Sequence, residues 1–267
     1  MKFRFIPAAL LSVVALTLTG CSASTGDSAA GTDDSLSSVL DSGTLVIGTE
    51  GTYRPFSFHE DGSGELTGYD VEVARAVAAE LGVDAVFEEA QWDAIFAGLT
   101  AGRWDTIANQ VSITPERLEA YEFSTPYTYS TGVIVVPADN TSITSFASLD
   151  GLTTAQSLTS NWYTLATESG ATVEGVEGWA QSVTLVEQGR VDATVNDKLT
   201  FLDYQKSTGA KNLKIAAETE DRSESAFAFA PDGTALAEAV SEALATLTAD
   251  GTLAELSDKY FGADVSQ

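Results

Sequence analysis

Residues 108–117, ANQVSITPER, bring together groups that bind a carboxylate. Asn109, Gln110 and Ser112 offer amides and a hydroxyl, and Arg117 offers a planar fork that engages a carboxylate through two parallel hydrogen bonds. Thr114 and Pro115 mark a helix start, the first as cap and the second in the opening turn. The free amides at such an end favour negative charge. The same residues also fit a plain solvated helix on which Arg117 pairs with Glu116 or Glu119.

The elements that must position this stretch can be read from periodicity. Apolar runs at 45–47, 83–87 and 104–108 predict strands, and the last feeds directly into Asn109. Between them, residues 71–81 place Val73, Val77 and Leu81 on one helical stripe, and 92–100 turn Ile95, Phe96 and Leu99 inward. Phe56, Phe58 and the Glu60-Asp61-Gly62-Ser63-Gly64 run predict a hairpin. After Val133-Ile134-Val135-Val136 a second series follows, with strands at 152–157, 173–176, 193–195 and 213–216 and helices at 161–167, 180–188 and 199–206. A strand at 226–230 and two helices over 234–260, broken at Asp250-Gly251, close the chain. Strand and helix alternating in this way predict mostly parallel sheets covered by helices. An internal echo is also present. Gly102-Arg103-Trp104-Asp105 leads through a strand to Asn109-Gln110, and Gly189-Arg190-Val191-Asp192 leads through a strand to Asn196-Asp197. In open α/β sheets, ligands sit at the carboxyl ends of strands, so two such edges would face each other across a cleft.

At 267 residues the chain is long enough for two lobes, or for one large domain, with a real core. Its 13 basic and 39 acidic residues give a net charge of −26, which speaks against nucleic acid and against a polybasic membrane contact. Lys2 and Arg4 precede an apolar run at 5–18 that suits a signal-peptide core, and Leu18-Thr19-Gly20-Cys21 resembles the bacterial lipoprotein box. Residues 1–20 are therefore expected to be removed and Cys21 to be acylated, with 21–42, rich in Ser, Thr, Gly, Ala and Asp, forming a flexible tether. Cys21 is the only cysteine, which excludes an intrachain disulfide and a cysteine-based metal site. The expected location is the outer face of the cytoplasmic membrane, on a Gram-positive cell surface.

The segments LVIGTEGTYRPFSF, LTGYDVEVARAVAAELGV, WDAIFAGLTAGRWDTIANQVSITPER, YEFSTPYTYS, GRVDATVND and ADGTLAELSDKYFG together resemble family 3 solute-binding proteins, the amino-acid receptors of ABC importers. NQVSITPER, AQSLTSNW and GRVDATVNDKLTFLDY are most similar to the cystine-binding subgroup. The resemblance implies a two-lobed periplasmic-binding-protein-like (type II) α/β fold. Lobe 1 would span 43–131 and 226–267 and lobe 2 would span 132–225, joined by two crossing strands near 130–133 and 224–227. It also implies site roles. Arg117, with Ser112, Thr159 and Ser160, would hold the ligand α-carboxylate. Asp197 and the carbonyl of Gln110 would take the α-ammonium. Tyr53 and Trp92 would pack on the side chain, Glu50 would stand near its far end, and Gln156 and Asn161 would add polar contacts. Leu158 departs from the family pattern, which usually has glycine there, so the backbone approach to the carboxylate is in question.

Arg117 and Asp197 lie on different expected lobes, so a zwitterion gripped by both would draw the lobes together. The resemblance implies L-cystine as ligand, a permease with its ATPase as partners, a membrane contact through lipid on Cys21, and a monomer. Glutamine, arginine, histidine and diaminopimelate-like ligands are the alternatives. A dehydratase on the same fold would need a poised acid or base in the cleft. No catalytic residue, cofactor or metal is expected: His59 is the only histidine, and neither GxxxxGK[ST] nor GxGxxG occurs.

Overall fold

The computed structural model describes residues 33–267. The signal peptide expected at 1–20 and the lipidation expected at Cys21 lie outside the described residues.

The described chain opens with a helix, α1 (Ser35–Ser42), where a tether was expected. Its apolar stripe is one turn long, too short to register as periodicity in a Ser- and Asp-rich segment. Tertiary contact decides instead: Val39 is buried and Leu36 packs beside it in the largest core cluster. The Asp33 carboxylate accepts from the amide of Ala235 at 2.6 Å, fastening this segment to the start of a C-terminal helix.

Next come β1 (Thr44–Thr49), β2 (Thr52–Tyr53), β3 (Ser57–His59), β4 (Leu66–Thr67), α2 (Tyr69–Leu81), β5 (Asp84–Glu89), α3 (Trp92–Thr100) and β6 (Thr106–Ser112). A short helix α4 (Pro115–Leu118), then β7 (Glu122–Phe123) and β8 (Thr128–Ser130), lead out of this part. β9 (Gly132–Pro137), β10 (Thr153–Gln156), α5 (Asn161–Glu168), β11 (Thr172–Gly175), α6 (Trp179–Glu187), β12 (Thr194–Asp197), α7 (Lys198–Thr208) and β13 (Leu213–Glu218) make the second series. The chain returns on β14 (Ser223–Phe229) and closes with α8 (Thr234–Ala249) and α9 (Thr252–Phe261).

Two lobes result. The first is built on a sheet of order β5-β1-β6-β14-β7, with β8 also paired to β14. β5, β1 and β6 are parallel, and β14 runs against β6. Helices α2, α8 and α9 cover one face over Leu45, Ile47, Phe227 and Phe229. Helix α3 covers the other over Ile107 and Val111. Fully burying such side chains contributes ~1.5–3 kcal/mol each.

The second lobe departs from the expected parallel arrangement. β10 and β11 pair in parallel, but β9 runs antiparallel to both β12 and β13. The cause is topological: β9 carries the chain away from the crossing, whereas β12 runs back toward it, so Asp197 at the end of β12 faces Gly132 at the start of β9. Along β9 the strand alternation is plain. Val133 and Val135 join Trp179, Val183 and Phe201 on one face, and Ile134 and Val136 join Leu149 and Val195 on the other. β8 and β14 cross between the lobes side by side, with Ser130 opposite Ser223.

Candidate functional site

Three features of lobe 1 bring polar groups to the cleft. First, β6 runs four residues beyond its expected end at Ala108, to Ser112, and every one of its residues is buried. Within it Gln110 has φ 51°, a left-handed conformation that costs a non-glycine residue ~1–3 kcal/mol. Asp70 holds it there, accepting the Gln110 amide at 2.7 Å and its side-chain Nε2 at 2.6 Å. Gln110 Nε2 also donates to the Thr128 hydroxyl, which fixes the side-chain orientation and leaves Oε1 without a partner. Asp70 was not singled out in the sequence, where it reads as one more acidic residue in a helix first turn. The flanking Tyr69 and Val71, both apolar and now fully buried, were the available signal.

Second, Asn109 grips Glu50 at both ends. Its Nδ2 donates to Glu50 Oε2 at 2.6 Å, and its Oδ1 accepts the Glu50 amide at 2.9 Å. Burial pushes the Glu50 carboxyl up to about 7, with Asp93 and Glu177 adding to the rise and the Asn109 bond opposing it. Third, α4 starts as expected, with the Thr114 hydroxyl accepting the Arg117 amide at 3.3 Å. The Arg117 guanidinium lies 5.4 Å from the Trp92 ring centre and 5.2 Å from that of Phe96, within cation–π range. Its Nη1 donates to the Ser112 carbonyl at 2.9 Å, and its Nη2 reaches the Thr159 carbonyl of the other lobe at 3.4 Å. Burial lowers its pKa to about 10, which leaves it charged at neutral pH. No ion pair of Arg117 with Glu116 or Glu119 is found.

Lobe 2 contributes the starts of two helices and one strand end. Ser160 caps α5, accepting the Tyr163 amide at 3.1 Å and donating to the Ser157 carbonyl. Leu158, at the position in question, is 51% exposed and packs on Gly175, where a Cβ would meet it at 2.9 Å. Gln156 is buried with its Oε1 accepting the Thr154 hydroxyl at 2.9 Å, which leaves Nε2 free. At the end of β12, Asp197 Oδ1 accepts the Ser130 hydroxyl and the Leu199 amide, both at 2.7 Å, so it caps α7. Burial pushes its carboxyl up to about 6.

Between these walls lies a cavity of about 360 Å³. Of the expected residues, Glu50, Tyr53, Trp92, Gln110, Gln156, Ser160 and Asn161 line it; Ser112, Arg117, Thr159 and Asp197 do not. Arg117 and Asp197 are engaged in the contacts just given, which include the Ser112 and Thr159 carbonyls. Asn109 and Asn196, from the two ends of the internal echo, also line it, and so do Trp162, Gly178 and Trp179, which were not singled out in the sequence.

Several bonds tie the lobes. The Tyr53 hydroxyl donates to Asn196 and accepts from Thr200, each at 3.1 Å. The Thr159 hydroxyl donates to Asp93 at 2.6 Å, and Arg54 pairs with Asp203 at 3.0 Å. Three carboxylates, Glu50, Asp70 and Asp197, are held above their ordinary range chiefly by burial. No Lys or Arg lines the cavity.

A cleft between two α/β lobes, acidic inside and edged by an arginine fork, defines a binding protein for small polar solutes. The chain belongs to the bacterial extracellular solute-binding proteins, family 3, whose model matches residues 45–263. The L-cystine-binding protein TcyA of Bacillus subtilis is 49% identical over 88% of this chain and 87% of its own length. The L-cystine solute receptor of Neisseria gonorrhoeae, solved unliganded and open, is 45% identical over 87% of this chain and 99% of its own, with a TM-score of 0.59. AbpA of Streptococcus pneumoniae, solved bound to L-arginine, is only 25% identical over 86% of this chain and 100% of its own, yet reaches a TM-score of 0.77. All three are described as binding proteins or receptors. Sequence likeness and overall superposition here run in opposite directions.

Proposed function

We propose that this chain is the extracytoplasmic ligand-binding component of an ABC importer, capturing L-cystine between its lobes and delivering it to a permease. The observation that carries this reading is the uncompensated acidity of the cleft. Glu50 lines the cavity, the buried Asp197 follows directly on the lining residue Asn196, and no Lys or Arg is part of the wall. Such groups call for ammonium ions, and cystine brings two. Arg117 takes the α-carboxylate at one end by exchanging the Ser112 and Thr159 carbonyl oxygens for two carboxylate oxygens, and Ser112, Thr159 and Ser160 assist. Asp197 takes the adjacent ammonium, aided by Gln110. Tyr53 and Trp92 flank the disulfide, where sulfur–aromatic contacts contribute ~0.3–1.5 kcal/mol, and Glu50 takes the far ammonium. Lobe 1 at 43–131 and 226–267 closes on lobe 2 at 132–225 about the β8 and β14 crossings. Relatives described as binding cystine, at 49% and 45% identity, support the same choice.

Calorimetry on the purified chain tests it. L-cystine is expected to bind at least about tenfold tighter than L-cysteine, and a reductant added to the complex is expected to return the melting temperature to the ligand-free value. Arginine, glutamine or histidine outcompeting cystine would overturn the ligand choice. The molecule works as a monomer held to the outer membrane face by lipid on Cys21. Cys21→Ser is expected to free it from membranes with unchanged cystine affinity, and a variant that stays membrane-bound rejects the anchor.

A further inference from the structure

Helix α6 begins at the cavity wall and is uncapped. Its N-cap is Gly178, and no side chain bonds its first amides. The amides of Trp179, Ala180 and Gln181 have no partner within the helix, and all three residues line the cavity. The neighbouring α5 differs, since Ser160 caps it. A nine-residue helix thus turns its positive end, unblocked, toward the ligand space.

A second observation points the same way. Gln156 is 2% exposed and lines the cavity, and its Oε1 is held by Thr154, so the free Nε2 is a buried donor with a fixed direction. It adjoins the lead into α6: its carbonyl accepts the Val176 amide at 3.2 Å, and next to it the Ser157 hydroxyl donates to the Glu177 carbonyl. Glu50 completes the group. While Oε2 is held by Asn109, Oε1 lies 3.8 Å from where a Cβ on Gly178 would stand, and no hydrogen bond joins it to α6. An acceptor for ammonium and a set of donors for carboxylate therefore stand about one amino-acid end apart.

We propose that the first turn of α6, with the Gln156 amide, holds a second carboxylate beside the ammonium taken by Glu50, so that the cavity accepts a molecule that is an amino acid at both ends. This rests on the amino-acid reading above and narrows its ligand class to double zwitterions joined by a short linker. A ligand with one carboxylate leaves the α6 amides and Gln156 unpaired.

The test compares L-cystine with the mixed disulfide of cysteine and cysteamine by calorimetry in thiol-free buffer. The mixed disulfide keeps both ammonium groups, the disulfide and the length, and lacks only one carboxylate. It is expected to bind at least about tenfold more weakly, and a smaller loss overturns the proposal. No binding of L-cystine at all rejects instead the ligand reading on which the proposal rests. In Gly178→Asp the backbone, extended at φ −179°, admits the side chain, whose nearest contact is the ordinary one to Glu50. The introduced carboxylate caps α6 and occupies the subsite. The melting temperature is then expected to hold or rise while the preference for cystine over the mixed disulfide falls below about threefold. Gln156→Leu, which needs no new cap, is expected to shrink the same preference. Full retention of the preference in both variants overturns the proposal.

Discussion

The two Gly-Arg-x-Asp turns make the same structure in both lobes and then lead to different chemistry. Gly102 and Gly189 have φ 66° and 65°, left-handed positions that glycine fills at no steric cost. Arg103 and Arg190 each donate an amide back to the preceding helix, to Gly98 and Leu185. Asp105 gives its amide to the Val46 carbonyl and takes the Val46 amide on its carboxylate, both at 2.8 Å. Asp192 does the same with Thr153, again at 2.8 Å for both bonds. Each turn thus clamps its strand to the start of a parallel neighbour. Past the clamp the likeness ends. β6 carries Asn109 and Gln110, neutral amides that hold Glu50 and Asp70, whereas β12 finishes in Asn196 and Asp197, where the strand itself supplies the carboxylate. The repeated half of each unit fixes the fold, and the half that differs reaches the cavity through Asn109, Gln110 and Asn196.

That division predicts a graded set of effects. The largest belongs to Arg117, just beyond the end of β6. Arg117→Ala is expected to abolish cystine binding without unfolding the chain, and Arg117→Lys to be severely impaired because a point charge does not replace the fork. Wild-type calorimetry for either would remove Arg117 from the clamp. At the matching end of β12, Asp197→Asn keeps a good cap for α7 and the acceptor for Ser130, so the melting temperature should hold or rise. Cystine affinity should drop about a hundredfold, since hydrogen bonds to charged groups contribute ~1.5–3 kcal/mol each. A variant that binds as before would make Asp197 a cap and nothing more.

The turns should behave oppositely, losing stability while keeping affinity. Asp105→Ala strands the partly buried Val46 amide and is expected to cost ~1–3 kcal/mol in denaturant unfolding. Asp192→Ala frees a more solvent-exposed amide and is expected to cost less, ~0.5–1.5 kcal/mol. Cystine affinity lost at either turn without lost stability would break the division.

The smallest effect is a slope in pH. Glu50, Asp70 and Asp197 sit at about 7, about 7 and about 6 in the folded chain, above the unfolded values of acids. Between about pH 4 and 7 the folded state therefore binds more protons than the unfolded state, so ligand-free stability falls as pH rises through that window. Melting temperatures should be higher near pH 5 than near pH 7.5. Below about pH 4 the trend reverses, as Glu72, Glu218 and Asp264, all held low by hydrogen bonds or Lys partners, take up protons. Cystine should bind more weakly near pH 5, where the carboxylates facing its ammonium groups are neutral. A ligand-free melting curve that rises steadily from pH 5 to 7.5 would contradict the placement of these groups.

Period and turn chemistry made much of this architecture readable in advance. Val73 and Val77 mark α2, Trp92 to Thr100 is α3 as bounded, and the Asp250-Gly251 break separates α8 from α9. Local signals fail where long-range contacts decide. Nothing near Ser35 announces that Val39 will find the α8 layer, and nothing near Gln110 announces the left-handed backbone that Asp70 enforces from forty positions away. The same limit holds in the cleft. Residue types suggest Arg117 as a clamp, but not that its fork rests on carbonyl oxygens from both lobes, nor that Asp93 latches Thr159. The direction of β9 is a property of how the chain crosses between lobes, which no single strand records.

The placement of the indole rings gives the molecule an optical property. Trp92, Trp162 and Trp179, out of four tryptophans in the chain, line one cavity, and the fourth, Trp104, is buried in lobe 1 against Gly98. Most of the emitters therefore share one cavity, and one of them lies under the Arg117 charge. Replacing water there changes the polarity around all three at once, and a disulfide placed among excited indoles accepts an electron and darkens them. The unlabelled chain is thus its own fluorimeter, in which a disulfide ligand dims the emission while a thioether of the same length only shifts its colour.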